Sequence, residues 1–419
     1  MIANMEDIRD RLKKPRPQKP HNKKTSTRPS QPYISATESA PQSEQVETIV
    51  MLPEKGPKAS VQEHIKKLKT WWSKQTKSRK IIIVTGMSGL LIGAGAMTAW
   101  LMHPEPEPET APVIVREEPE SEPEPTTVPS PLTGMQVKPD LAELPVTAVI
   151  IENSPEARPQ SGLGEAGVVF EAMVEGSITR FLALYQEQKP DEIGPIRSVR
   201  RNHIDWLQGF NAAVAHVGGS PIALSRIRDR NVPDLDQFQH SEAYWRSNNR
   251  FAPHNMYSSR ERLLKVHEKI GHNESDFTGF ARKKAEPNAT PSVTSVDVQI
   301  SGPMYNVRFD YDIESNAYKR FMGGTPHIDQ LTNEQITSDI VIILVANYSR
   351  DGIYSVYESV GNGTAYIFQD GALTKGSWEK RNNQENIRFG DKNGLPIGIN
   401  PGNTWITLAT NENQISVKP

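Results

Sequence analysis

The sequence predicts an α+β protein with a mixed α/β first domain followed by a β-rich second domain. Between residues 146 and 270, short apolar runs typical of strands alternate with segments of helical periodicity. From residue 293 onward, short strand-like runs alternate with glycine and asparagine turns, and little helical signal remains. The segment KKAEPNATP at 283–291 breaks both patterns. We therefore expect domains at 133–285 and 292–410.

The N-terminal part of the chain has a different composition. The 33 prolines of the sequence crowd the first 60 residues and the region between residues 104 and 139. Such segments bury too little apolar surface to offset the entropy of ordering the chain. The sequence thus predicts a disordered basic tail at 1–80 and an extended Pro/Glu-rich stalk at 103–132.

A single uncharged run, IIIVTGMSGLLIGAGAMTAWLM at 81–102, lies between the tail and the stalk. A helix rises about 1.5 Å per residue, so this run is long enough to cross a hydrocarbon core of about 30 Å. A cleaved signal peptide is the alternative, but signal peptides carry only a short basic region before the apolar run. Lysines precede the run and glutamates follow it, which places the N-terminus in the cytoplasm. The sequence predicts a single-pass plasma-membrane protein with extracytoplasmic domains.

The residues just before this run have two interpretations. Val61, Ile65, Leu68 and Trp72 recur at helical spacing among lysines, so 61–75 is predicted either to lie on the anionic inner leaflet or to be an ordinary basic flank without a helix.

The secondary structure of the folded region can be assigned in order. In the first domain we expect strands at 146–151, 168–175, 179–186 and 212–217, one helical face formed by Val199, His203, Trp206 and Phe210, and a helix at 259–270. In the second domain we expect strands at 305–311, 340–345, 364–368 and 404–408. Gly176 and Ser177 separate two of the strands and predict a hairpin with a type II′ turn.

That hairpin predicts a stripe of charged side chains. With Gly176 and Ser177 as the turn residues, Glu175 pairs with Ile178 and Met173 pairs with Arg180. Arg180 then lies diagonal to both Glu171 and Glu175 on one strand face. The stripe forms part of a polar pocket in one interpretation and a charge-balanced structural face in the other.

Arginines form a second cluster, at Arg158 and around GPIRSVRR at 194–201. Arg197, Arg200 and Arg201 lie close together if a helix begins near Ser198. Guanidinium groups suit bidentate binding of carboxylate or phosphate, and wall polymers supply both anions. The alternative is that these arginines pair with Glu152, Glu171 and Glu175 inside the fold.

Two histidines are further candidates. His216 ends an apolar strand, and His254 lies in the segment FAPHNMY. Each is either at the edge of a site or a satisfied structural group. The sequence contains no zinc-protease helix motif, hydrolase elbow, phosphate-binding loop or dinucleotide fingerprint. The chain also lacks cysteine, which excludes disulfides and Cys-ligated zinc. We expect no cofactor, no metal and no nucleic-acid partner, and we assign no catalytic residue.

The segment ENSPEARPQSGLGEAGVVFEAMVEGSITRFLALYQ, followed by IGPIRSVR and APHN, resembles the YerB-type bacterial envelope family of lipoproteins. Looser matches follow at Tyr318-Lys-Arg320, Trp378 and Gly402-Asn-Thr-Trp405. The resemblance implies an extracytoplasmic, membrane-tethered protein with paired domains of unknown function. Lipoproteins of this type carry an acylated cysteine, so the 81–102 helix would replace that anchor here.

The resemblance also indicates which polar residues to consider. Carried onto this chain, the motif positions are Glu152, Asn153, Arg158, Gln160, Glu171, Glu175, Arg180, Arg197, Arg200, His216, Pro253, His254 and Asn255. From these we take as candidate ligand-binding residues Glu152, Arg158, Glu171, Glu175, Arg180, Arg197, Arg200, His216, His254 and Asn255.

These candidates support two functional hypotheses. The first is a non-enzymatic envelope module that binds an anionic wall polymer or an envelope protein through its Arg/Glu-rich face. The alternative is a hydrolase or lyase acting on a cell-wall polymer, with Glu171 or Glu175 and a histidine as acid–base groups. A purely structural spacer is a third possibility, favoured if all these side chains point into a closed core.

Overall fold

The structure is a computed structural model that describes residues 61–79 and 126–419, with side chains from residue 66 onward in the first range. Of the described residues, 126–419 belong to one compact unit and 61–79 to another. Most of the predicted tail and stalk, and the whole predicted span at 81–102, lie outside the described residues. Within the two described ranges, no helix combines the length and apolar content needed to cross a bilayer.

Both helices predicted for the first domain are present, although the first begins at Arg201 and not near Ser198. Helix α1 (Val61–Ser73) favours the helical interpretation of 61–75, and the predicted disordered tail at 1–80 is therefore wrong for this segment. The helices of the compact unit are α2 (Pro139–Ala142), α3 (Arg201–Leu207), α4 (Pro221–Asp229) and α5 (Arg260–Ile270). Helix α5 begins after Ser259, whose hydroxyl accepts a hydrogen bond from the Arg262 amide, and it ends at Gly271 in the left-handed conformation.

Each of the eight strands predicted from the sequence is present, with ends within about three residues of the prediction, and thirteen further strands of the described residues were not predicted. In the first half of the compact unit they are β1 (Val128–Pro129), β2 (Gln136–Val137), β3 (Thr147–Glu152), β4 (Val168–Met173), β5 (Thr179–Tyr185), β6 (Ala213–Ala215), β7 (Trp245–Arg246) and β8 (Met256–Tyr257). In the second half they are β9 (Ser295–Val298), β10 (Val307–Asp312), β11 (Ala317–Met322), β12 (Thr325–Pro326), β13 (Thr337–Ser338), β14 (Ile340–Val345), β15 (Tyr348–Asp351), β16 (Tyr354–Tyr357), β17 (Gly361–Gln369), β18 (Ala372–Lys380), β19 (Arg388–Gly390), β20 (Thr404–Ala409) and β21 (Ile415–Lys418).

One large sheet runs through the whole compact unit. Its strand order is β19-β18-β17-β14-β20-β4-β5-β3-β6, nine strands within residues 126–419. Strand β20 is parallel to β4, with Thr404 opposite Val168 and Thr407 opposite Glu171. Strands from both sides of the predicted 285–291 boundary therefore hydrogen-bond side by side. The result is a mixed α/β fold with a β-rich C-terminal half, as the sequence predicts.

The central strands of the large sheet are buried on both faces, whereas β18 and β19 at one edge are partly exposed. Strand β14 reads as a continuous apolar run without alternation, which is typical of a strand covered on both sides. Helices α3 and α4 cover one face, where their apolar residues join the cluster of Ile342 and Leu344. Helix α5 and a second sheet, ordered β12-β11-β10-β9-β21 with β13 on β11, cover the other face. The compact unit thus has three layers.

The β4–β5 hairpin differs from its predicted turn and register. Gly176 and Ser177 both have positive φ, 59° and 61°, as in a type I′ turn and not the predicted type II′ turn. The amide of Val174 donates to the Ile178 carbonyl at 2.9 Å, and the Ile178 amide donates to the Glu175 carbonyl at 3.0 Å. Two residues therefore oppose Ile178, which is a β-bulge that the sequence did not reveal.

The bulge shifts every pair beyond it by one residue. Met173 lies opposite Thr179 and Ala172 lies opposite Arg180, so the predicted Met173–Arg180 pair was wrong. Because side chains alternate along a strand, a shift of one residue moves Arg180 to the face opposite Glu171. The predicted stripe is accordingly split between the two faces of the sheet.

Buried neutral histidines predict that the fold is sensitive to acid. Burial lowers the pKa of His267 to about 3 from its usual 6.5 and holds the pKa values of His203 and His327 well below that value. Below about pH 6.5 the unfolded chain binds protons that the folded chain refuses, so stability must fall as pH decreases from 6.5 towards 3. At pH 5, His267 alone accounts for about 2 kcal/mol.

We expect urea unfolding to give a lower unfolding free energy at pH 5 than at pH 7. The variant His267→Gln should reduce this pH dependence, because glutamine does not titrate. An unchanged pH dependence in that variant would show that His267 is not the group responsible.

Candidate functional site

Glu171 is sealed inside the fold and pairs with a residue from the second half of the chain. Its Oε2 lies 2.7 Å from Arg320 Nη2 and accepts a hydrogen bond from Trp405 Nε1 at 3.1 Å. Its Oε1 accepts from the Thr179 hydroxyl at 3.2 Å. The side chains of Glu171 and Arg320 are both 0% exposed. The predicted Glu171–Arg180 pairing was therefore wrong, and Glu171 is a structural residue.

The buried network continues from Arg320 to the surface. His327 contacts Arg320 through Nδ1 and Gln160 Oε1 through Nε2, the latter at 2.8 Å. The Gln160 amide donates to Asn153 Oδ1, which also accepts from Arg158 Nε at 3.1 Å. Arg158 further donates to the Asn153 carbonyl at 3.0 Å. This chain of bonds fastens the second half of the unit to the 153–160 loop.

The guanidinium of Arg158 therefore donates mainly to atoms of the fold itself. Its remaining Nη1 donates to the Met304 carbonyl at 2.9 Å, and its guanidinium carbon lies 4.9 Å from the centre of the Tyr305 ring. Burial lowers the pKa of Arg158, although the group keeps its charge. These contacts leave little of Arg158 for a ligand.

Glu175 retains its predicted pairing with Arg180 and adds Arg200. Arg180 Nη2 donates to its Oε1 at 3.1 Å, and Arg200 Nε donates to its Oε2 at 2.7 Å. Burial alone would raise the pKa of Glu175, but the hydrogen bonds and charges of Arg200 and Arg180 lower it overall. Arg180 and Arg200 also donate to the Ser198 carbonyl. In this part of the stripe, Glu175 and the two arginines therefore neutralise one another within the fold, as expected for a charge-balanced structural face.

His216 and Asn255 also have internal roles. His216 is 0% exposed, and its Nε2 and Nδ1 lie 2.9 Å from Asp234 Oδ1 and from the Gly218 carbonyl, respectively. Asn255 accepts from Arg246 at 2.7 Å and donates to the Ser247 carbonyl at 3.0 Å. These bonds order the loops on which the two residues lie.

The remaining candidates, Glu152, Arg197 and His254, meet at the end of strand β3. Glu152 Oε1 lies 3.1 Å from Arg197 Nε, and Oε2 lies 3.0 Å from His254 Nδ1. The hydroxyl of Ser154 donates to the same Oε1 at 3.1 Å. We call these four residues, Glu152, Ser154, Arg197 and His254, the Glu152 site.

Backbone pairing explains why residues distant in sequence converge there. The Arg197 amide donates to the Ile150 carbonyl of β3 at 2.8 Å. The Ile196 amide donates to the Met256 carbonyl of β8 at 2.6 Å. The segment around Arg197 therefore lies between β3 and β8, and His254 lies two residues before β8. Three short segments thus bring the four side chains to the same place, with Glu152 and Ser154 on the first of them.

The Glu152 site is partly open to solvent, and it differs from the other networks because some of its nitrogen atoms have no partner in the described part of the fold. The Glu152 side chain is 4% exposed, whereas those of Arg197 and His254 are 30% and 24% exposed. Among the residues that the structure describes, none forms a hydrogen bond with Nη1 or Nη2 of Arg197 or with Nε2 of His254. A buried carboxylate thus orients two nitrogen-bearing groups towards solvent.

The geometry defines what the site can do. With Nδ1 of His254 donating to Glu152, Nε2 carries a lone pair in the neutral ring and a proton in the charged ring. The guanidinium of Arg197 suits a carboxylate or phosphate oxygen. Ser154 Oγ lies 3.3 Å from Nδ1 of His254, the nitrogen that also meets Glu152, so the three do not form a Ser–His–acid triad. Within 61–79 and 126–419, no group of three acidic or histidine side chains is placed to hold a metal ion.

A second carboxylate lies at the rim of the site. Glu156 is fully exposed, and its own backbone amide, the Ser154 hydroxyl and the charges of His254 and Arg158 lower its pKa. A negative charge at this position opposes the binding of an anion.

The structure thus brings together part of the predicted set. Of the ten candidates, Glu152, Arg197 and His254 converge on an open site, and the others are committed to internal bonds. Sequence reasoning missed Ser154, which follows Glu152 by two residues, and the internal partners Arg320 and Trp405. The latter two fall in the looser motifs of the second half, which was the available signal.

The protein is thus of the mixed α/β class, and its two halves contribute strands to one sheet. Family models described as "Protein of unknown function (DUF3048)" match both halves, the N-terminal domain at residues 132–273 and the C-terminal domain at 296–406. The chain belongs to this family, and the YerB-type resemblance is confirmed.

A curated relative and a solved structure agree with this assignment. "Putative lipoprotein YerB" of Bacillus subtilis (strain 168) is 31% identical over 300 residues, which cover 69% of this chain and 88% of the relative. The crystal structure of the YerB protein from Bacillus subtilis matches with a TM-score of 0.63 and 28% identity, covering 70% of this chain and 100% of that chain.

Proposed function

We propose that the chain is a membrane-anchored, extracytoplasmic envelope protein that binds an anionic wall-associated ligand at the Glu152 site. The relative from Bacillus subtilis carries the name "Putative lipoprotein YerB", and that name supports an envelope location. This chain has no cysteine to acylate, so we assign the anchor to the uncharged run at 81–102. The basic residues before that run and the glutamates after it support an outside location for residues 126–419.

One observation carries the binding proposal. Arg197 keeps both Nη groups unbonded towards solvent while its Nε is held against Glu152. The other candidate arginines of this half, Arg158, Arg180 and Arg200, donate to carboxylates and carbonyls of the fold. Glu152 fixes the orientation of the Arg197 guanidinium, while its Nη groups remain available as hydrogen-bond donors. Binding of an external anion would therefore cost little further side-chain entropy.

Retention of residues 126–419 on isolated cell wall tests this proposal. We expect wild type to bind and Arg197→Ala to bind roughly 10- to 100-fold more weakly, since a hydrogen bond to a charged group contributes about 1.5–3 kcal/mol. The matched control is Arg201→Ala, whose guanidinium pairs with Asp351 and not with Glu152. No retention of the wild type, or equal retention of both variants, would refute the assignment.

The rim carboxylate gives a second prediction. Replacing Glu156 with glutamine removes a negative charge beside His254 without changing the shape of the side chain. We expect Glu156→Gln to bind the anionic wall ligand about twofold more tightly, with the gain shrinking as salt is added. Weaker binding by this variant would place the ligand elsewhere or make its recognised group cationic.

A hydrolase or lyase acting on a wall polymer is the second candidate. The acid–base residues expected from the sequence do not suit the role. Glu171 is fully buried, and Glu175 forms ion pairs with Arg180 and Arg200. The pair that favours an enzyme is His254 with Glu152, since a carboxylate on Nδ1 orients Nε2 as a base. Wall fragments incubated with wild type should then shorten, and His254→Gln should abolish the shortening. Fragments that keep their length with wild type would exclude this activity.

A further inference from the structure

Helix α1 has an apolar face that is exposed. Leu68 is 71% exposed, Trp71 53% and Trp72 37%. Leu68 and Trp72 are four residues apart and therefore lie on one face of the helix. Large apolar side chains clustered on one side of an exposed helix indicate a surface that another apolar phase covers.

The rest of the helix and its C-terminal flank are strongly basic. Residues 61–79 contain six basic side chains and one acidic side chain, Glu63. The basic residues are Lys66, Lys67, Lys69, Lys74, Lys77 and Arg79. At 100° per residue, Lys69 and Lys67 lie on either side of the apolar face and Lys66 lies opposite it. Lysines at these positions can extend past the apolar face towards a negatively charged surface.

We propose that α1 lies in the plane of an anionic phospholipid surface, with Leu68, Trp71 and Trp72 inserted and the lysines on the headgroups. This inference rests on the membrane anchorage proposed above, because the uncharged run begins at residue 81 and brings α1 to the bilayer. Tryptophan is enriched at the membrane–water interface, and lysines near anionic headgroups strengthen the binding. A nucleic acid would match the lysines but would leave the apolar face uncovered.

The absence of cysteine from the sequence allows a site-specific test in the full-length chain. An environment-sensitive fluorophore is attached to Leu68→Cys on the apolar face or, as the matched control, to Thr70→Cys on the polar face. Each protein is reconstituted in vesicles of phosphatidylcholine alone or mixed with phosphatidylglycerol. We expect the probe at position 68 to shift to the blue and resist iodide quenching only with phosphatidylglycerol, while the probe at position 70 remains quenchable.

The role of charge is tested in the same background. Adding Lys66→Gln and Lys69→Gln to the position 68 variant should weaken association of α1 with the anionic surface on the order of tenfold. Equal quenching at positions 68 and 70 in anionic vesicles would overturn the proposal, as would equal protection at position 68 in neutral vesicles. Retention of the chain by neutral vesicles reports separately on the 81–102 anchor, so a failure of α1 and a failure of the anchor are distinguishable.

Discussion

Residues 126–285 expressed alone should fail to fold, although they contain the whole first domain predicted from the sequence. Strand β4 pairs with β20 along Val168–Glu171, so removal of the second half leaves one edge of β4 unpaired, although its pairing with β5 remains. The apolar cluster that holds Phe170 and Leu182 also contains Ile342 and Ile406 from the second half. Exposing that surface removes much of the burial that stabilises the fold.

Circular dichroism and the dispersion of amide NMR signals would measure this effect. The intact 126–419 unit is the control, and it should unfold in one cooperative transition. Mixing 126–285 with 286–419 should restore native dispersion, because the paired edges complement one another. A well-dispersed spectrum from 126–285 alone would contradict the shared-core account.

Breaking the buried ion pair is the second large effect expected. Glu171→Gln keeps the size of the side chain but leaves the charge of Arg320 without a counterion at 0% exposure. Removing one member of a buried pair typically costs about 3–5 kcal/mol. In a unit of this size that corresponds to a fall in Tm of about 5–8 °C. Thermal and urea unfolding of 126–419 would measure it.

Two further variants separate charge burial from a general loss of contacts. Glu379→Gln disrupts an exposed pair with Arg381 and should change stability very little. The double variant Glu171→Leu with Arg320→Met should recover part of the loss, because it removes both buried charges together. If Glu171→Gln were as stable as wild type, Glu171 would not be the counterion that the geometry indicates.

The sequence predicted the elements of the fold better than their assembly. Strand β14 was evident because Ile340–Val345 is a short, continuous apolar run, and α5 was evident from its helical spacing and its start at Ser259. The parallel pairing of β4 with β20 joins residues more than two hundred positions apart. Local patterns carry no information on such a contact, which depends on tertiary packing.

The candidate site was predicted with the same limits. Glu152, Arg197 and His254 were correctly selected as candidates that lie together. The predicted pairing of β4 with β5 was wrong by one residue, because the bulge at Val174 and Glu175 has no distinctive sequence signal. Glu171 and His216 have the same residue types as open-site groups and are instead buried with internal partners. Exposure distinguishes the two cases, and exposure follows from the packing of the whole unit.

The most direct test of ligand binding at the Glu152 site is NMR of the 126–419 unit during titration with a soluble anionic wall polymer, observing the imidazole of His254. We predict a saturable shift of the His254 signals that disappears in Arg197→Ala and persists in Arg201→Ala. Signals of the buried His216 should not move. The absence of any shift at His254, or an identical shift in both arginine variants, would contradict the assignment of this site.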